Sequence, residues 1–461
     1  MDDRLSSLDA SFLEVETPAA HMHVGWAALF GPSEVGPRPG FDQLREHIGT
    51  RMARAPRYRQ RLAEIPLGAA DPVWVDDENF AIERHVHRSG SSDLSEVVDE
   101  VMSSRLRRDR PMWEMWIADR LGDGRIGVVG KAHHAMVDGL AAVELATLLL
   151  DPTPEPPPPE ADGWSPAPPP GEFALFAGGL ASRASRVLDL ATLPLRAVRH
   201  PQQVLRVPSL ALEASLALAD AARPGAGLPP FVRPTSPLRH LAMARRPLAE
   251  LRETKAALGV SVNDVLLAAV AGGIRSFLRE TGTDPVRLKT MVPVSLRSAA
   301  EANGLGNSIS FVFVDLPCDE PDPLRRVREV ARAMGVRKEV KEPEGADVLM
   351  RLAGYTPRTL QRVVSRLVSS PRSFDIVVSN IPGPPEPLWM LGCPLEEAYP
   401  IVPFADSHSL SVGLTTVCDE AFLGLYVDRR ALPGADRLAE LVDAEFDELM
   451  AAAQLAAPTP V

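Results

Sequence analysis

The sequence predicts an α/β protein built as two sandwich lobes with mixed sheets, and three observations carry that expectation. At 461 residues the chain exceeds what one ordinary core supports, so two domains or one pseudo-symmetric unit is expected. Hydrophobic residues make up 45% and charged residues 24%, the balance of a folded globular chain. Strand-like and helix-like stretches are mixed on both sides of a single proline-rich break.

The break is DPTPEPPPPEADGWSPAPPP, residues 151–170. Proline lacks the N–H and fixes φ, so this stretch is expected to be an extended, semi-rigid linker or surface crossing. It divides the chain into a first lobe at 1–151, a connecting region at 152–234 and a second lobe at 235–461.

In the first lobe, MWEMWIADRL and RIGVVGKA read as strands joined across Gly122-Asp123-Gly124, where Asp and Gly tolerate the positive φ of a hairpin turn. The second run ends at His133 and His134, and LAAVELATLLL beyond it reads as a buried helix. KAHHAMVDGL therefore lies on a strand-to-helix loop, a usual position for side chains that meet a ligand. Residues 172–222 read as helices with arginines among leucines and valines, which fits packed helices with a solvated face or a basic amphipathic surface for lipid.

In the second lobe, SVNDVLLAAVAGGIRSFLRE reads as a helix capped near Ser261 or Asn263. LKTMVPVSLR and SISFVFVDLP read as strands, and FDIVVSNIPGPP as a buried strand that Pro382 and Gly383 turn into a loop. SLSVGLTTVCD and FLGLYVD form an expected strand pair, and ADRLAELVDAEFDELMAAAQ a closing amphipathic helix.

Composition also excludes. A net charge of −12 argues against non-specific nucleic-acid binding. No run of about eighteen apolar residues occurs, so a membrane-spanning helix is not expected. The three cysteines have no metal-ligand spacing, which points to reduced thiols and a cytoplasmic chain. MDDRLSSLDASFLEVE carries acids where a secretion leader needs bases.

The chemistry concentrates in HHAMVDG, residues 133–139. A neutral imidazole accepts a proton near pH 7 and returns it, which is what acyl transfer to a hydroxyl requires. Asp138 either orients an imidazole or turns away to pair an arginine and fix the loop; the second is favoured because Gly139 bends the chain there. Two other readings stand beside the general base, a structural histidine pair and a metal site. Against the metal, neighbouring strand residues point to opposite faces, and no HExxH occurs. A Ser-His-Asp hydrolase would usually show GxSxG, which the chain lacks.

HHAMVDG resembles the HHxxxDG signature of the CoA-dependent acyltransferase superfamily, with its chloramphenicol-acetyltransferase-like lobes. LSSLDASFLEVETPAAHMHVG, PMWEMWIADRL, SVNDVLLAAVAGGIR, TMVPVSLR and SNIPGPP, in that order along nearly the whole chain, resemble the bacterial wax ester synthase/diacylglycerol acyltransferases. PMW departs from the usual PLW by one mild apolar change.

The resemblance implies two similar lobes meeting at an active-site channel, with His134 as the base, His133 as its support and Asp138 as structural. Asn263 and Asp264 match the family's ND pair, for which a helix cap is the alternative reading. Pro293, Ser295, Ser379 and Asn380 match further signatures that shape the channel, make polar contacts near a thioester, or only cap and turn. The implied substrates are long-chain acyl-CoA with diacylglycerol or a fatty alcohol, with no bound cofactor or metal, at the surface of a membrane or lipid inclusion. An acyltransferase of the same fold acting on another lipid or polyketide alcohol, and a non-catalytic lipid-surface protein, are the alternatives.

Overall fold

The computed structural model describes residues 4–68, 70–137, 148–158, 162–181, 223–295, 309–339, 370 and 373–456. Asp138, Gly139, the helix read in LAAVELATLLL up to Thr147, and the arginine-bearing segment 182–222 lie outside them.

The first half contributes α1 (Ser7–Val15), β1 (His23–Phe30), α2 (Phe41–Met52), β2 (Gln60–Ala63), β3 (Val73–Asp76) and β4 (Val86–Arg88). After these come α3 (Leu94–Ser103), β5 (Trp113–Ala118), β6 (Ile126–His133) and the short helix α4 (Glu172–Ala181). The second half opens with β7 (Arg239–Pro247), α5 (Leu248–Leu258), α6 (Val262–Glu280), β8 (Leu288–Ser295), β9 (Ile309–Leu316) and α7 (Pro323–Glu339). It closes with β10 (Ile376–Asn380), β11 (Trp389–Met390), β12 (Cys393–Ile401), β13 (Leu410–Val417), β14 (Glu420–Asp428) and α8 (Ala435–Ala456).

Two six-stranded mixed sheets organise these elements, as the fold class predicted. The first runs β11-β12-β1-β6-β5-β4 and the second β7-β14-β13-β10-β8-β9. The boundary expected at residue 235 does not separate the sheets, because β11 and β12 come from the second half and complete the first sheet. β12 alternates buried and less buried positions along Cys393–Tyr399, the pattern of a strand with one face in a core. Where it crosses the second sheet, two glycines make room. A Cβ on Gly424 would lie 2.2 Å from the Pro400 carbonyl oxygen, and one on Gly413 2.9 Å from the Pro400 ring.

Polar clamps reinforce the junction. Glu397 of β12 accepts hydrogen bonds from Arg125 at 2.6 Å, Arg245 at 3.0 Å and the Tyr399 hydroxyl at 2.7 Å. His240 of β7 sits between Asp99 of α3 at 3.0 Å and Asp436 of α8 at 3.1 Å. Those carboxylates, Asp99 first, raise its pKa to about 9.

The second core explains one quoted motif directly. LLAAVAGG is apolar on every side, so α6 is buried against α7 and α8 rather than lying on a surface. Gly272 and Gly273 let it approach α8. A Cβ at 273 would lie 2.4 Å from the Val442 side chain, and one at 272 would meet the buried Arg326–Glu445 ion pair.

The proline-rich stretch lies along the first lobe. Arg59 donates to both carboxylate oxygens of Asp162 and stacks over Trp164 at 4.8 Å, and the Ala167 N–H donates to Asp76 at 2.9 Å. Among the described residues no single helix is long and apolar enough to cross a membrane.

Candidate active site

The histidine motif is positioned by β1. In the antiparallel ladder His23 pairs with His133, and the His134 N–H extends it by donating to the Met22 carbonyl at 2.9 Å. Met22 holds a left-handed φ of 50°, a conformation that a non-glycine residue keeps only where its surroundings impose it. Side chains alternate along a strand, so His133 shares a face with Lys131, and His134 continues the face of Ala132 and Gly130.

His133 is built into the scaffold. Its Nδ1 accepts the Ala135 N–H at 3.0 Å, so its ring proton resides on Nε2, 3.8 Å from the Glu16 carboxylate. Glu16 in turn pairs with Arg105 at 3.1 Å and with Arg108. Burial, then the charge of Arg108, lowers the His133 pKa to about 3, so this ring is neutral across the working range. Below it, the buried Lys131 amine donates to the carbonyls of Val101 and Ser104 and to the Ser104 hydroxyl, and it pairs with Glu114 at 3.4 Å.

Neighbouring histidines are also held uncharged. Burial, then Arg239, lowers the His21 pKa to about 4, and burial, then Lys131, pushes His23 well below its ordinary value. Among the described residues no group of three or more His, Cys, Asp or Glu side chains is arranged to hold a metal ion.

His134 is half-buried, and the Phe12 ring stacks on it with centroids 3.7 Å apart and planes 11° from parallel. α1 thus reaches both imidazoles, Phe12 against His134 and Glu16, just past its end, facing His133. The Ser6 hydroxyl fixes the start of α1 by accepting the Asp9 N–H at 3.0 Å. Sequence reasoning missed Phe12, Glu16, Arg105 and Arg108 as members of the site. The available signal was FLEVE, whose second glutamate, Glu16, has a side chain only 3% exposed against two arginines.

On the His134 face of the first sheet lies an apolar cavity of about 90 Å³ between the lobes. Val24, Trp26, Ala28 and Phe30 of β1 line one wall, and Ile381, Gly383 and Pro384 of SNIPGPP border it from the second lobe. A Cβ at Gly383 would lie 1.8 Å from the Thr416 carbonyl oxygen, so that loop can rest on β13 only with glycine there. Trp26 lies flat across Gly130, where any Cβ would fall 2.6 Å from the indole.

The other predicted residues are more dispersed. Asp264 accepts from the Ser261 N–H at 2.8 Å and the Ser261 hydroxyl at 2.7 Å, completing a capping box at the start of α6, with Asn263 half-buried beside it. Pro293 lies in β8 opposite Phe311, and Ser295 ends that strand. Ser379 is buried opposite Gly413, whereas Asn380 is exposed opposite Leu414.

The chain matches the wax ester synthase/diacylglycerol acyltransferase catalytic domain over residues 5–266 and the WS/DGAT C-terminal domain over 305–450. It belongs to the wax ester synthase/diacylglycerol acyltransferase family. This acyltransferase is 31% identical to a Mycobacterium tuberculosis protein named probable diacylglycerol O-acyltransferase tgs2, over 97% of the chain and 98% of that relative. Its structure is similar to the wax ester synthase/diacylglycerol acyltransferase from Marinobacter aquaeolei VT8, with a TM-score of 0.68 and 26% identity over 98% of this chain and 100% of that one. The first condensation domain of the calcium-dependent antibiotic synthetase shares the fold at 17% identity and a TM-score of 0.62, covering 100% of this acyltransferase and 98% of that chain.

Proposed function

We propose that the protein moves a long-chain acyl group from acyl-CoA to the hydroxyl of diacylglycerol or a long-chain alcohol, with His134 as general base and no acyl-enzyme. The observation that carries this reading is the position of His134, half-buried at the end of a strand whose same face walls an apolar interlobe cavity.

In this mechanism the acceptor hydroxyl attacks the thioester carbon while His134 takes its proton. A C–O bond forms, the C–S bond breaks, and the imidazolium returns its proton to the departing thiolate, whose pKa of about 8.5 demands little help. His133 stays neutral and shapes the loop through the Ala135 N–H, and Phe12 holds the plane of the reacting ring. The apolar cavity limits water, and with it hydrolysis of the thioester. A lipid-facing location, at the inner membrane or on lipid inclusions, is part of the same reading, because a diacylglycerol or long-chain alcohol acceptor partitions out of water.

The test is incubation of the purified protein with labelled palmitoyl-CoA and a panel of diacylglycerol and alcohol acceptors, followed by separation of neutral lipids. Labelled ester is expected with the wild type and not with His134→Ala. Equal turnover by both would reject the base assignment.

A further inference from the structure

The loop between α3 and β5 carries RLRRDR, with arginines at 105, 107, 108 and 110. It is tied to the histidine strands at two points. The Leu106 N–H donates to His23 Nε2 at 3.4 Å, and the Met112 carbonyl accepts the His133 N–H at 2.9 Å. Leu106 and Met112 are buried in one small core with Ala135 of the motif and with Ala10 and Leu13 of α1. The apolar positions hold the loop down, and the guanidiniums between them face outward. The side chains of Arg105, Arg107 and Arg108 are 46%, 64% and 45% exposed.

The loop carries more positive charge than its partners cancel. Among the described residues, four guanidiniums share two carboxylates. Arg105 and Arg108 pair with Glu16, and Arg107 and Arg110 with Asp109. This local surplus stands in a chain whose net charge is −12. Arg110 is the least satisfied of the four, because its Nε is buried without a hydrogen-bond acceptor, 3.6 Å from the Asp109 carboxylate. The field reaches the motif: after burial, Arg108 is the largest cause of the low His133 pKa, and Arg105 adds to it.

A guanidinium has five N–H donors, so one that pairs a carboxylate along one edge still presents another to a phosphate. In acyl-CoA the pantetheine arm separates the thioester from the phosphates. The phosphates of a donor reacting at His134 therefore belong on the surface beside the motif and not at the ring itself.

We propose that the loop at 105–110 docks the phosphates of the acyl-CoA donor. Arg107 and Arg110 supply the principal contacts, and Arg105 and Arg108 add charge while they hold Glu16. The assignment rests on the transferase reading for the identity of the donor.

Arg107→Gln removes an exposed guanidinium whose hydrogen bonds go only to Asp109, and Arg107→Glu reverses its charge. A double variant, Arg107→Gln with Arg110→Gln, keeps one arginine from covering for the other. Circular dichroism and a thermal melt check that each variant is folded. Rates are measured at a fixed hexadecanol concentration with palmitoyl-CoA and with palmitoyl-pantetheine, which presents the same thioester without the phosphates. KM for palmitoyl-CoA is expected to rise about tenfold in the double variant, the low end for hydrogen bonds to charged groups, and in Arg107→Glu, with kcat within about twofold of wild type. Palmitoyl-pantetheine is expected to serve all variants as well as it serves wild type.

Calorimetric titration with CoA, dephospho-CoA and pantetheine supplies a readout free of turnover. Affinity is expected to fall along that series in wild type and to flatten across it in Arg107→Glu. An unchanged KM for palmitoyl-CoA in the double variant, or an equal loss with both donors, would overturn the proposal. Equal binding of CoA and pantetheine by wild type would overturn it as well. If the wild type made no ester at all, the transferase reading would fall while the titration still decided the phosphate site.

Discussion

Each lobe stacks a histidine on a phenylalanine, and the two rings have opposite surroundings. His408 in the second lobe is fully buried, with Phe374 stacked at 4.1 Å. Its Nδ1 lies 3.1 Å from the Asp406 carbonyl oxygen and its Nε2 3.1 Å from that of Phe374. Burial lowers its pKa, and a neutral imidazole has one N–H, so the ring donates to one of these two carbonyls and is enclosed by backbone. His134 carries the same kind of stack but stands half-buried just past the end of β6, whose Val128 lines the cavity farther along. Aromatic stacking is therefore silent about chemistry. What the ring nitrogens face decides.

The sharpest contrast comes from truncating both rings. His134→Ala is expected to lower kcat by roughly 10²–10⁴-fold with an unchanged melting temperature. His408→Ala should instead lose about 3 kcal/mol of stability in chemical denaturation and keep its turnover per folded molecule. A folded His408→Ala variant without activity would erase the distinction between the rings.

Next in size is Arg326→Ala, which leaves the Glu445 carboxylate buried without its partner in the second core. A loss of about 3–5 kcal/mol is expected from denaturant titration, with catalysis by the remaining folded protein intact. Gly383→Ala should have a smaller effect on stability, about 1–3 kcal/mol, because its Cβ displaces the loop from Thr416. Unlike the arginine variant, it should also change KM, since the loop borders the cavity.

The smallest effect is a pH dependence at the lobe junction. His240 titrates near 9 when folded and near 6.5 when unfolded, so its ion pairs stabilise fully below pH 6.5. That contribution is lost as pH rises through about 9. Asp99, Asp436 and Arg429 are the charged groups around it, and partial exposure keeps the gain below about 1 kcal/mol. Melting temperatures from pH 6 to 10 should fall more in wild type than in His240→Asn.

Local signals in the sequence carried much of the fold. The Asp123-Gly124 turn predicted the β5–β6 hairpin, and Gly124 does adopt a φ of +82°. The apolar run of α6, the β13–β14 pair and the closing helix α8 were readable for the same reason, because each is specified by neighbours in the chain. β12 was not, since CPLEEAYPI finds its partner β1 more than three hundred and sixty residues earlier. The candidate site divides likewise. HHAMVDG announced the histidines, but the stack of Phe12 on His134 and the facing of Glu16 and His133 exist only after α1 folds over the strand ends. The ND pair shows the converse, a motif whose aspartate the fold engages in a helix cap.

The borrowed strand has a consequence for synthesis. Until residue 401 has left the ribosome, β1 presents an open edge of unpaired backbone groups toward the place β12 will take. At the usual pace of about 5–20 residues per second, that edge waits roughly twenty seconds to more than a minute. The first sheet is therefore incomplete on the β12 side of β1 until the second half has been made. A nascent chain stalled before residue 390 should be protease-sensitive throughout its first half and should gain protection only when the crossing strand arrives.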